Sequence, residues 1–154
     1  MSMSPIPKSQ NAEDRTPGNL APGLRVLVVE DNRVMGDVMR FNFDRAGFST
    51  AVALNGRLAW DLLQAETFAL LVTDLQMPEM DGRELCRRIR ADSRLVHLPI
   101  ILLTAKGLEI DRDQLTRELG LNLILYKPFS PRQLVAAAAE CVAGHVATVE
   151  PAIS

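Results

Sequence analysis

Five side chains that could do chemistry together, Glu30, Asp31, Asp74, Thr104 and Lys127, each directly follow or adjoin the end of a short apolar run. The runs cover residues 24–29, 70–73, 99–103 and 121–126. Continuous apolar, β-branched stretches of that length suit strands buried on both faces. If those strands are parallel, their carboxyl ends share one edge of a sheet and the five polar residues meet in one crevice. Three carboxylates held so close repel one another and tend to take up protons. A hard divalent cation relieves this, and Mg2+ favours a few carboxylates with waters in octahedral geometry. Lys127 is a compact cation suited to a phosphoryl oxygen or to the acids themselves, and Thr104 offers a hydroxyl donor. A nucleophilic carboxylate, a metal, a lysine and a hydroxyl together describe an aspartyl-phosphate site. Taken singly, each residue has an ordinary use as a helix-start acid, a turn hydroxyl or a surface lysine; the conjunction carries the argument.

The elements between these residues support that placement. The Asp74 strand is followed by Pro78 and Gly82, which break the chain, and Asp81 with Glu84 three residues on marks a new helix start. After Glu30 and Asp31, Asn32 caps a helix over residues 33–46, in which Val34, Val38 and Phe41, flanked by Met35 and Met39, recur at helical spacing before Gly47 stops it. Residues 48–54 form a second strand, and Asn55-Gly56 turns it into a helix with Ala59, Trp60 and Leu63 on one face. The helix from Gly82 buries Leu85 and Ile89, and a polar helix over 111–119 closes at Gly120. Ser130-Pro131-Arg132-Gln133 opens the last helix, anchored by Leu134, Val135 and Val142 and ended by Gly144. Five strands alternating with five helices predict an α/β fold with an open five-stranded parallel sheet. In the common order 2-1-3-4-5 the switch point lies between strands 1 and 3, which deliver all three acids.

The chain has 154 residues, 47% hydrophobic and 23% charged, enough for one domain with a proper core. A net charge of −2 makes no electrostatic case for nucleic acid. No apolar run approaches the roughly 18 residues of a membrane span. Residues 1–22 are polar, with almost nothing to bury and no signal-peptide core, and read as a disordered tail before a domain over 23–144 and a short tail over 145–154. Cys86 and Cys141 lack metal-ligand spacing and read as free thiols of a reducing, cytoplasmic protein.

With these residues in place, the chain resembles a response regulator receiver domain of two-component signalling, similar to the single-domain chemotaxis type. The matching segments are Val28-Val29-Glu30-Asp31-Asn32, the loop over residues 74–82, Leu102-Leu103-Thr104-Ala105 and Lys127-Pro128-Phe129. The resemblance, over about residues 24–143, implies the flavodoxin-like receiver fold and Asp74 as phosphoacceptor. It further implies Asp31 and Asp74 as direct Mg2+ ligands, Glu30 acting through water, and the main-chain carbonyl of Gln76 completing the protein's share. Thr104 and Lys127 would hold the phosphoryl oxygens, Gln76 and Lys106 would tune hydrolysis, and the Lys127-Pro128 bond would be cis. One position departs from the pattern: the aromatic switch residue expected three before the lysine is Ile124, and the single tyrosine, Tyr126, adjoins the lysine instead.

A haloacid-dehalogenase-type phosphatase would need a second acid two residues after the nucleophile, where this chain has Gln76; a flavodoxin-type cofactor binder would want a phosphate cradle where Glu30-Asp31 would repel one. The expected partners are a sensor histidine kinase or histidine phosphotransfer protein and an unidentified downstream protein, with no nucleic acid and no membrane, acting as a monomer or a phosphorylation-dependent dimer. No DNA-binding or catalytic output domain follows within the chain, so it is expected to be a stand-alone receiver signalling by protein contacts. A phosphorelay intermediate and a receiver fragment of a longer regulator remain the alternatives. It is not expected to be an enzyme beyond its own phosphorylation and dephosphorylation.

Overall fold

A computed structural model describes residues 23–105 and 111–149. Strands and helices alternate: β1 (Arg25–Val29), α1 (Arg33–Arg45), β2 (Ser49–Ala53), α2 (Gly56–Ala65), β3 (Leu70–Asp74), α3 (Gly82–Ala91), β4 (Ile100–Ala105), α4 (Arg112–Leu119), β5 (Leu123–Lys127) and α5 (Pro131–Val149). The five strands form one parallel sheet in the order β2-β1-β3-β4-β5. This is the open parallel α/β sheet that the strand runs predict, and the flavodoxin-like receiver fold that the resemblance implies.

The apolar runs are continuous because β1, β3 and β4 are covered on both sides. Alternate side chains enter two cores. Val26, Val28, Leu70 and Val72 meet Met39 and Phe43 of α1 and Leu134 of α5. Leu27, Val29, Leu71 and Leu102 meet Leu63, Leu85 and Leu115 of the helices on the other face. Helix starts are capped as the sequence indicates: Asn32, Asn55, Asp81 and Asp111 accept from the backbone N–H three residues on. At the other end of α4, Gly120 takes the left-handed conformation (φ 62°).

Two helices differ from the sequence reading. In α1 the row Val34, Val38, Phe41 faces solvent, and the buried row is Gly36, Met39 and Phe43. Both rows have helical periodicity, so spacing alone does not choose between them. The choice follows from Gly36, where a Cβ would stand only 3.1 Å from Val52 Cγ1, and from Phe43 stacking edge-on against Phe48 at 5.3 Å. The last helix runs through Gly144 to Val149, so residues 145–149 belong to the helix and not to the tail expected after that glycine. A helical glycine costs only about 1 kcal/mol relative to alanine and does not force a stop within an alanine-rich run.

Candidate phosphoryl and metal site

Because all five strands are parallel, Glu30, Asp74, Thr104 and Lys127 reach the same edge of the sheet. The central position of β3 buries Asp74 to 4% exposure, and Glu30 is 2% exposed. Glu30 Oε2 accepts from Asn32 N at 3.0 Å, and Asn32 Oδ1 accepts from Met35 N at 2.9 Å, so the turn that opens α1 also orients the glutamate. Asp31, between them, is exposed. Glu30, Asp31 and Asp74 each present an oxygen, all lying within 4.8 Å of one another. Lys127, at the carboxyl end of the outermost strand β5 and followed by a cis Lys127-Pro128 bond, has its Nζ 3.0 Å from Asp74 Oδ1 and 3.9 Å from Glu30 Oε1.

The electrostatics follow from this crowding. Burial raises the Glu30 carboxyl from 4.5 to about 7, helped by a proton it can share with Asp74 and by repulsion from that carboxylate; the Asn32 N–H and Lys127 pull the other way. Glu30 Oε1 and the Thr104 hydroxyl are buried without a hydrogen-bond partner, and Asp74 Oδ1 is met only by the Lys127 ammonium at 3.0 Å. Leaving a buried group unsatisfied costs about 1–3 kcal/mol, which a folded protein tolerates where a ligand is to be bound. An unpartnered Glu30 oxygen and an Asp74 oxygen held only by an ion pair, beside a third acid, fit a hard cation, whose octahedral shell at about 2.1 Å places opposite oxygens roughly 4.2 Å apart. The edge can therefore hold a divalent cation between carboxylates and offer an ammonium and a hydroxyl to an anion.

The loop after Asp74 is tightly constrained. Leu75 N donates to Leu103 O and Gly82 N donates back to Leu75 O, both at 2.8 Å. A Cβ on Gly82 would lie 2.2 Å from the Asp74 carbonyl oxygen, so this position must be glycine for the strand end and helix start to approach. Gln76 lies exposed in this loop, and Glu79 and Met80 both have positive φ (51° and 77°). Nothing in the residue types announced those two conformations, since neither glutamate nor methionine favours that region.

Ile124 sits apart from the acids, 5% exposed in the apolar core with Leu102 as its register partner. The aromatic ring of this edge belongs to Tyr126, register partner of Thr104, with the Arg112 guanidinium 5.5 Å from its centroid. Lys106 lies outside the described residues.

The family model described as response regulator receiver domain matches residues 26–139. Among solved structures, the signal receiver domain of a signal transduction histidine kinase from Syntrophus aciditrophicus is 30% identical, with a TM-score of 0.71 over 79% of this chain and 92% of that one. The receiver domain of a sensor histidine kinase from Pseudomonas aeruginosa PAO1, whose structure has a magnesium ion coordinated in the active site cleft, is 29% identical, with a TM-score of 0.70 over 79% and 98%. The chemotaxis response regulator CheY4 of Vibrio cholerae is 26% identical, with a TM-score of 0.71 over 77% and 98%. With the matched family spanning the whole sheet and its carboxyl edge, the chain belongs to the response regulator receiver domains of two-component signalling.

Proposed function

We propose that Asp74 accepts a phosphoryl group from a phosphohistidine of a sensor kinase or phosphotransfer protein, with Mg2+, and that the phosphorylated domain signals by contacting another protein. The observation that carries this is the buried Asp74 carboxylate between the Lys127 ammonium at 3.0 Å and two further acids within 4.8 Å. In the transfer, an Asp74 oxygen bonds to phosphorus as the bond to the imidazole nitrogen breaks, and the imidazole leaves with the bonding pair. Lys127 shifts its charge from the carboxylate to a phosphoryl oxygen, and the partnerless Thr104 hydroxyl donates to another. Asp31, Asp74 and the Gln76 carbonyl would hold Mg2+ directly and Glu30 through water, and the ion supplies positive charge against the phosphoryl oxygens.

The exposed row Val34, Val38 and Phe41 begins three residues after Asp31 and gives a partner carrying the phosphoryl group an apolar surface beside the acids. Gln76 and Lys106 would tune hydrolysis of the aspartyl phosphate. At the switch position, Ile124 is buried and has no hydroxyl to gain or lose, so it stays in place while α4 carries the response; residues 106–110, expected to move with it, lie outside the described residues. No described helix is long and apolar enough to cross a membrane. We read the chain as a cytoplasmic receiver, a reading supported by the family that it matches.

The test is incubation with acetyl phosphate and Mg2+, followed by intact-mass measurement. One added phosphoryl group, lost in Asp74→Asn and in EDTA, is expected; labelling that survives either change overturns the reading. A phosphorelay role is the second reading, favoured by similar receivers that belong to histidine kinases. Rapid passage of the label to a histidine phosphotransfer protein would support it.

A further inference from the structure

The strained part of the loop after Asp74 rests on α2, an element that contributes no residue to the acid cluster. Arg57 N, in the first turn of α2, donates to Glu79 O at 3.1 Å. A Cβ on Gly56 would lie 2.0 Å from Met80 O and 2.9 Å from Met80 C. Ordinary carbon–oxygen contacts are about 3.3 Å or longer, so one methyl group would drive the two backbones apart by roughly 1 Å. The contacts fall on Glu79 and Met80, which among the described residues are the two non-glycine ones with positive φ, a conformation that persists only where its surroundings impose it. Ala59 and Leu63 fix α2 in the core with no exposure, whereas Gln76, Pro78 and Glu79 are exposed, so the loop and not the helix would give way.

We infer that Gly56 is a positioning residue for the phosphoryl and metal site: the glycine start of α2 seats the Glu79–Met80 backbone and so fixes the loop that joins Asp74 and Gln76 to α3. The inference rests on the functional reading above and adds a residue to it. Gly56 touches neither acid nor phosphoryl group and acts through the loop alone. In the sequence, Asn55-Gly56 reads only as a turn that caps a helix, since its second use depends on a segment more than 20 residues away.

The experiment measures Mg2+ affinity by calorimetry and the rate of acetyl phosphate labelling at limiting Mg2+, with thermal unfolding as the check on folding. Gly56→Ala is expected to weaken Mg2+ binding about tenfold and to slow labelling similarly, the range seen when supports of metal ligands are removed. Met80→Val, which opposes positive φ from the loop side and leaves the residues of α2 unchanged, should do the same in a folded protein. In a Met80→Gly background the backbone carbonyl that a Cβ at position 56 would meet is still present, so Gly56→Ala should keep its effect. Ala59→Gly loosens the same helix without touching the loop and should leave Mg2+ affinity unchanged. Unaltered affinity in Gly56→Ala or in Met80→Val overturns the inference. So does a Gly56→Ala effect that vanishes in the Met80→Gly background, or a loss in Ala59→Gly equal to that in Gly56→Ala. A wild-type chain that takes no phosphoryl group on Asp74 overturns the functional reading itself, and the inference with it.

Discussion

The two edges of the sheet treat most of their buried polar groups differently, although Arg25 Nε at the start of β1 is also buried without a hydrogen-bond partner. At the amino edge, the half-buried Arg90 of α3 donates to the carbonyls of Val96, Leu119 and Gly120 at 2.7–2.8 Å, tying three segments together. Asn122 completes the edge, its side chain accepting from Ile100 N and its N–H donating to Ile100 O, both at 2.9 Å. At the carboxyl edge, Glu30 and Thr104 are buried with atoms that no neighbour satisfies, and the buried Asp74 oxygen beside them is met only by the Lys127 ammonium. A guanidinium with its fork of donors filled contributes to stability. Acids crowded beside one lysine cost stability and acquire a use only when something binds. On the function proposed, one edge holds the fold and the other holds the chemistry, and the substitutions that follow test that division.

The largest effect should come from Asp74→Asn. Labelling by acetyl phosphate should disappear altogether, while thermal unfolding of the metal-free protein stays level or improves, because one of the repelling carboxylates is gone. A variant that still labels, or that is strongly destabilised, would erase the contrast. At the other edge, Arg90→Ala strips three carbonyls of a charged donor and should cost about 2–4 kcal/mol in denaturant unfolding. Its folded fraction should label at the wild-type rate. If Arg90→Ala left stability intact and impaired labelling instead, the two edges would not be separable.

Thr104→Val comes next and should move the two properties in opposite directions. The buried hydroxyl has no partner, so removing it leaves stability unchanged or raises it by up to about 1 kcal/mol. Phosphoryl transfer should slow by roughly 10- to 100-fold, the range for losing a positioned donor. Labelling rate and unfolding midpoint measured on the same preparation decide it; a loss of stability with normal transfer would make Thr104 structural.

Much of this division is legible in the sequence because strand ends and helix starts are written in local residue types. The run over residues 70–73 followed by Asp74, and the caps Asn32, Asp81 and Asp111, need only neighbours to be understood. Parallel order then brings Glu30, Asp74, Thr104 and Lys127 to one edge without further information. The choice of buried face on α1 was not legible, because it depends on Gly36 approaching Val52 of another element. The positive φ of Glu79 and Met80 was not legible for the same reason. Long-range contacts decide these two features, and a single sequence displays neither of them. The continuation of α5 past Gly144 is a local matter, since one helical glycine costs only about 1 kcal/mol and does not mark a stop by itself.

The smallest effect concerns pH and isolates the carboxyl edge from the amino edge. Burial, proton sharing with Asp74 and repulsion place the Glu30 carboxyl at about 7 in the folded protein against 4.5 as its ordinary value. The folded form therefore binds this proton more tightly than the unfolded chain does. The stability so conferred is fully present below about pH 4.5 and is lost as the pH rises through about 7. In EDTA, raising the pH from about 5 to about 8 should cost wild type roughly 1–3 kcal/mol through this group. Glu30→Gln carries no titrating proton there and should flatten that part of the profile, while Arg90→Ala should lower the whole profile without changing its slope. Mg2+ should reverse the trend in wild type, since a bound cation favours the carboxylate form. Denaturant unfolding at several pH values, with and without Mg2+, measures all of these; a Glu30→Gln profile parallel to wild type would show that the acids of this edge do not carry the pH dependence.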